Sequence, residues 1–178
     1  GEWKNVALSW TAIYQRFTTL VDTVLLTAAD VTEQRLAESE RDTEREKNEC
    51  IADLLGATKV HSLEFLRSMT SLLIVVRQEI SDSPSMDTIH NLFIYVHSVK
   101  GTALSLSFRK ISGLAHNFEH KLYSQRRLGQ VTITRKELEA GIDAIEEAVA
   151  FYEAIMREVL CWEITEDDLT QSQSRVRA

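Results

Sequence analysis

Five residues in two short stretches have the types and spacings that chemistry needs: His97, Lys100 and Gly101 in one, His116 and Glu119 in the other. Positions three or four apart are neighbours on a helix face, so each stretch can present its polar groups together. At about 100° per residue, His97 lies roughly 140° from a core stripe centred near Leu92, which aims it at water. Lys100 lies on the shoulder between that histidine and the core. In the second stretch His116 and Glu119 sit at roughly 140° and 80° from their own core stripe, matching the offsets of His97 and Lys100, so the two pairs flank one interhelical seam. An imidazole there is a nitrogen nucleophile. A carboxylate accepting the N–H of one ring nitrogen fixes the tautomer and leaves the other nitrogen free to attack, a role that falls to Glu119. An ammonium three residues away can pair with the oxygens of a bound phosphoryl group. Gly101 stands one turn beyond His97, where glycine costs about 1 kcal/mol relative to alanine. Clearance explains it: with no side chain beside the imidazole, another protein's active site can close over the ring.

Helices must position these groups, and the sequence supplies four. With one proline and six glycines, punctuation is sparse, which favours long helices. Ile51, Leu54 and Leu55, then Phe65, Leu66, Met69, Leu72, Leu73, Val76 and Ile80 follow a helical period, with Gly56 as a possible break. Ser83-Pro84 predicts the next start, serine as cap and proline at the first helical position. That helix buries Ile89, Leu92, Val96, Val99, Ala103 and Leu106 and ends near Phe108. The third buries Ile111, Leu114, Ala115, Phe118 and Leu122 and stops at Gly129. The fourth opens on the capping box of Thr134 and Glu137 and buries Leu138, Ile142, Ile145, Val149, Tyr152, Met156 and Val159. Four amphipathic helices with short connections bury their stripes most simply as an antiparallel four-helix bundle over residues 58–161.

Outside the bundle the composition changes. Val6, Leu8, Trp10 and Ala12 alternate with other residues, and Thr23-Val24-Leu25-Leu26-Thr27 is rich in β-formers, predicting a β-hairpin over roughly 3–14 and 20–30 within a segment 1–31. Two strands alone are marginal in water, so the hairpin needs the bundle, another copy, or the rest of a domain to pack on; the last is favoured. The run from Leu8 to Tyr14, then Val24-Leu25-Leu26-Thr27 and Asp30-Val31-Thr32-Glu33, resembles the closing strands and exit signal of a PAS sensor domain. Residues 32–57 form a connector helix. From Glu33 to Glu49 it mixes acidic and basic residues at helical neighbour spacing, which reads equally as a signalling coiled coil in a dimer or an exposed linker, since Val31, Leu36, Ile51 and Leu54 make a poor heptad seam. Residues 162–178 are a polar tail or short extra helix.

A net charge of −7 disfavours a general nucleic-acid binder, and a protein partner is expected instead. No apolar run approaches a membrane span and no signal peptide is evident, so a cytoplasmic location without membrane contact is expected. Cys50 and Cys161 match no metal or redox spacing and are expected to be reduced and structural.

His97-Ser98-Val99-Lys100-Gly101, with Phe108 following and His116-Asn117-Phe118-Glu119 on the next helix, resembles the histidine phosphotransfer domain of the chemotaxis kinase CheA and its relatives over about residues 60–160. The resemblance implies an HPt-like bundle with His97 phosphorylated on Nε2, Glu119 bonded to Nδ1, and Lys100 and His116 completing a polar network. It implies a carrier rather than a catalyst, loaded by an ATP-binding kinase domain and unloaded to a response-regulator receiver domain, with ATP and Mg²⁺ supplied by those partners and no intrinsic cofactor or metal. Ser107 departs from the family, whose members commonly place glycine before the aromatic residue. Joined to a PAS-like ending, the chain resembles part of a multidomain histidine kinase.

Two other readings compete. His116-Asn117-Phe118-Glu119-His120 fits the H-x-x-E-H pattern of inverted zinc proteases, but such a site needs a third ligand and leaves His97, Lys100 and Gly101 unexplained. The second is a helical dimerisation module without chemistry, with His97 a surface histidine like His61, His90 and His120. Trp3, Trp10 and Trp162 read as packing or interface aromatics, and Glu146-Glu147 as a solvated face.

Overall fold

The computed structural model describes residues 3–14, 19 and 21–162. Strands β1, Val6–Tyr14, and β2, Val21–Asp30, are followed by helices α1, Thr32–Gly56, α2, Lys59–Gln78, α3, Met86–Ser105, α4, Arg109–Leu128, and α5, Arg135–Glu158. The expected fold class holds: the chain is mainly helical, with a two-stranded antiparallel N-terminal hairpin. The expected tail falls beyond residue 162, outside the described residues, as does most of the hairpin turn. Among the described residues no helix is long and apolar enough to cross a membrane.

The chain forms two compact units, residues 1–46 and 47–178, so α1 begins in one and ends in the other. In the first, the register pairs Trp10 with Leu26, Leu8 with Ala28 and Ala12 with Val24. Because side chains alternate across a strand, these residues share one apolar face, while Ser9, Thr11, Thr23 and Thr27 share the other with Ile13 and Leu25. Every residue of both strands is exposed. The Asp30 carboxylate accepts from Lys4 Nζ at 2.7 Å and from the Thr32 backbone at 3.0 Å, which ties the hairpin exit to the first turn of α1.

In the second unit α2 to α5 close a ring in which α3 packs on α4, α4 on α5, and α2 on both α5 and α3; the α3/α4 pair is the most intimate. Sequence sets each boundary. Thr58 caps α2 by accepting from the His61 N–H, Thr134 and Glu137 complete the expected capping box on α5, and α4 ends on Gly129 at φ 64°. One start differs: Ser85, not Ser83, caps α3 by accepting from the Thr88 N–H at 3.1 Å, and Pro84 precedes the cap. Ser83 and Ser85 are both competent caps, and the periodicity of Ile89 and Leu92 does not choose between them. The same helix ends at Ser105 rather than near Phe108, because Ser107 takes φ 66° and turns the chain. A serine there carries the left-handed turn that glycine adopts at no cost.

Most of the expected core is buried, with Ile51, Leu72, Leu106 and Leu114 only partly so and Leu55 and Val159 exposed. Phe108 forms its centre, 4.7 Å from the Phe65 ring and 4.9 Å from Tyr152 in an edge-on contact. Burying a side chain of that size contributes about 1.5–3 kcal/mol. The last turns of α1 join this core through Cys50, Asp53 and Leu54. Asp53 is buried, and its carboxylate accepts from the Arg109 backbone at 3.0 Å, Arg109 Nε at 2.7 Å and Tyr152 Oη at 2.7 Å. Burial and the Asp53 bond push the Tyr152 hydroxyl up, so it stays protonated as the donor. Neither cysteine forms a disulfide; Cys50 is buried and Cys161 exposed.

Candidate functional site

The site grows from the antiparallel register of α3 and α4. His97 and Lys100 of α3 both reach Glu119 of α4. Four residues back along α3 and four on along α4, the same register brings Phe93 to Tyr123, with ring centroids 6.5 Å apart. The groups therefore stand on successive levels of one seam, held there by Leu92, Val96 and Val99 on one helix and Ala115, Phe118 and Leu122 on the other, all buried. Phe118 lies over Gly141 of α5, where a Cβ would come within 2.5 Å of its ring, so glycine lets α4 and α5 approach. That requirement escaped the sequence reading because nothing local to Gly141 announces it.

Within the seam the carboxylate of Glu119 is the hub. Its Oε1 lies 2.6 Å from His97 Nδ1 and its Oε2 2.5 Å from Lys100 Nζ. Burial works to raise the Glu119 pKa, but the hydrogen bonds and charges of Lys100 and His97 outweigh it and hold the carboxyl below its usual value. Glu119 is thus ionised at neutral pH and can only accept. At 2.6 Å the ring nitrogen facing it must carry a proton, which assigns Nδ1–H as donor. In the neutral imidazole the proton-free nitrogen is then Nε2, with its lone pair available.

Exposure separates the roles. The Glu119 side chain is 9% exposed and Lys100 25%, while His97 is 63% exposed. A buried anchor thus holds an accessible imidazole. A Cβ built on Gly101 meets nothing within 4 Å, so no contact among the described residues demands glycine. His116 is less closely engaged: its Nδ1 stands 3.9 Å from Glu119 Oε2, beyond hydrogen-bond reach, and its side chain is largely exposed. Of the singled-out residues, the structure therefore joins His97, Lys100 and Glu119, places Gly101 beside them, and leaves His116 at the edge.

His120, His61 and His90 are exposed. Among the described residues no three histidine, cysteine, aspartate or glutamate side chains converge to hold a metal ion. The Glu119 carboxylate, which the zinc pattern would use as a base, is instead engaged by two donors from α3. Glu146, read as solvated, accepts from Arg77 at 2.5 Å on the outer face of α5. The sequence reading missed the aromatic level next to His97. Phe93 stacks on the imidazole with planes 15° apart and centroids 6.0 Å apart, and the Arg126 guanidinium sits 4.4 Å from the Phe93 centroid. The spacing of Phe93 four residues before His97 was visible, but an aromatic at that spacing reads first as core.

A family model described as the Hpt domain matches residues 53–151, a span that runs from the last turn of α1 into α5 and contains all five residues of the seam. No curated protein and no solved structure matches the chain.

Proposed function

The chain belongs to the Hpt domain family, whose role is histidine phosphotransfer in two-component signalling, and from that premise we propose that His97 is the phosphoacceptor, Glu119 its orienting base partner and Lys100 the cation that meets the phosphoryl oxygens. The observation that carries this assignment is the 2.6 Å contact between His97 Nδ1 and a buried, ionised Glu119, which fixes the tautomer and leaves Nε2 as the nucleophile on an exposed ring.

In the loading step the Nε2 lone pair attacks the γ-phosphorus of an ATP held with Mg²⁺ by a kinase domain. The N–P bond forms, the bond from phosphorus to the bridging oxygen breaks, and ADP leaves. The ring keeps its Nδ1 proton and becomes cationic, and the Glu119 carboxylate stabilises that charge as it develops. In the unloading step an aspartate carboxylate of a receiver domain attacks phosphorus, the N–P bond breaks, and its electron pair returns to Nε2. Lys100 can trade part of its bond with Glu119 for a phosphoryl oxygen in both directions. Gly101 leaves room for either partner's active site, and His116 lies at the rim as a further polar group.

The finer reading is a CheA-type module within a larger histidine kinase, a cytoplasmic carrier whose hairpin is the end of a PAS-like sensor domain and whose helix α1 connects the two. The sequence resemblance supports it, as does the apolar face of the hairpin, which suits a larger sheet or a second copy. The reading requires no cofactor in the carrier itself.

The test is phosphorylation by an ATP-fed CheA-type catalytic domain, followed by mass spectrometry at neutral pH, which preserves phosphohistidine. The expected result is one acid-labile phosphate on His97, absent from His97→Gln at unchanged helicity. Phosphate retained in that variant overturns the assignment.

A further inference from the structure

Next to the His97 imidazole, on the side away from Lys100, stands a level of the α3/α4 seam that the mechanism above does not use. In the register that pairs Lys100 with Glu119, moving seven residues back on α3 and seven on along α4 pairs Phe93 with Arg126. The guanidinium carbon of Arg126 lies 4.4 Å from the Phe93 ring centroid. Phe93 also neighbours His97, with ring planes 15° apart and centroids 6.0 Å apart. Arg126 is half-buried, and among the described residues no carboxylate pairs with it. A flexible cation thus rests on the aromatic ring that stands next to the phosphoacceptor.

Helical side chains lean toward the N-terminus of their helix, so the imidazole projects over the turn that holds Phe93. Glu119 occupies Nδ1, and a phosphoryl group on Nε2 would sit on the outer side of the ring, within the sweep of a side chain as long as arginine. An exposed contact between a cation and an aromatic face is weak, whereas a guanidinium meets a phosphoryl group through two parallel N–H···O bonds. The arrival of a doubly charged phosphoryl group would tip Arg126 from the first to the second.

We propose that Arg126 is a second phosphoryl-binding residue, parked on Phe93 in the unphosphorylated chain and transferred to the phosphoryl oxygens when His97 is loaded. The inference rests on His97 being the phosphoacceptor. It gives Phe93 a positioning role, holding the cation beside the ring until charge appears. It also divides the work between cations: Lys100 shares its charge between Glu119 and the phosphoryl oxygens, and Arg126 brings charge that no carboxylate among the described residues offsets.

The whole chain can be loaded without a kinase by ammonium phosphoramidate. The Nε2 lone pair of His97 attacks phosphorus, the P–N bond of the donor breaks, and ammonia leaves. Mass spectrometry then locates the phosphate, and ³¹P NMR follows the last protonation of the phosphoryl group against pH. Lys100, Glu119, His116 and Tyr123 also face this region and are common to every chain compared. A guanidinium about 4 Å from the phosphoryl group in water lowers its pKa by roughly three quarters of a unit. Arg126→Ala is therefore expected to raise the midpoint by about that amount, with Arg126→Lys falling between. Arg126→Gln keeps most of the stem and should match the alanine variant, which removes packing as the cause. Identical midpoints in wild type and both neutral variants, with His97 phosphorylated, overturn the role of Arg126 alone. Absence of phosphate from His97 overturns this inference together with the assignment beneath it.

Discussion

Glu119 satisfies two donors from the facing helix with one buried carboxylate, and its depressed pKa ties stability to pH in a definite direction. A carboxyl whose folded pKa lies below its ordinary 4.5 adds stability that is fully present above that value and is lost as pH falls through the folded value. Glu119→Gln removes the contribution, so wild type should exceed the variant by about 1 kcal/mol at neutral pH, and the gap should close below the ordinary carboxylate range. Urea denaturation of both at pH 7 and pH 3.5 measures it; a gap that widens in acid reverses the argument. The same substitution should slow phosphorylation of His97 by about tenfold, the equivalent of one charge-assisted hydrogen bond. These residues were legible in the sequence because His97 with Lys100, and His116 with Glu119, repeat one helical offset on facing helices. Whether His116 lies 3 or 4 Å from the carboxylate depends on rotamers that spacing cannot specify. Phe93 and Arg126 were hidden for another reason: their meaning depends on the register between helices.

At the scale of elements, two glycines have opposite reasons to exist. Gly101 has open space where a Cβ would stand, while at Gly141 the Phe118 ring fills it. Gly101→Ala should therefore stabilise the fold by about 0.5–1 kcal/mol through helix propensity. It should also slow phosphoryl transfer to and from partner domains, because the methyl group enters the space over which they close. Gly141→Ala should destabilise by about 1–3 kcal/mol as α4 and α5 are forced apart, with little direct effect on the histidine. Thermal melts and transfer rates on the two variants separate the cases; a Gly101→Ala protein that is less stable would show that the glycine serves the chain's own packing. Helix existence and core faces were readable because apolar residues recur at 3.6-residue spacing over four or more turns. Boundaries were less so. Ser83 and Ser85 offer the same cap chemistry two residues apart, and the turn at Ser107 uses a residue that seldom signals a left-handed conformation.

For the whole molecule, the decisive question is where the phosphotransfer unit begins. The first helix after the hairpin looks like a charged connector from its sequence, and through residue 49 its side chains are mostly exposed. Its final turns behave differently: Leu54 and Cys50 are fully buried, and Asp53 receives three hydrogen bonds from Arg109 and Tyr152. That partnership spans 99 residues between Asp53 and Tyr152, so no local pattern could disclose it. Among the described residues every buried hydrophobic one lies at Cys50 or beyond, which makes a chain of residues 47–178 self-sufficient in that core. A chain of residues 58–178 keeps all four bundle helices and the entire seam but strips away Leu54 and Asp53. The cavity left by Leu54 and the unpaired Tyr152 hydroxyl and Arg109 N–H should together cost about 3–5 kcal/mol. At the usual entropy of unfolding for this size, that lowers the melting temperature by roughly 10–20 °C. The 47–178 chain should melt as the full chain does and accept phosphate on His97 at the same rate. Equal melting temperatures for the two truncated chains would show that the end of α1 only rests on the bundle; a large loss confined to the shorter chain would make the final turns of α1, with Cys50, Asp53 and Leu54, part of the phosphotransfer fold.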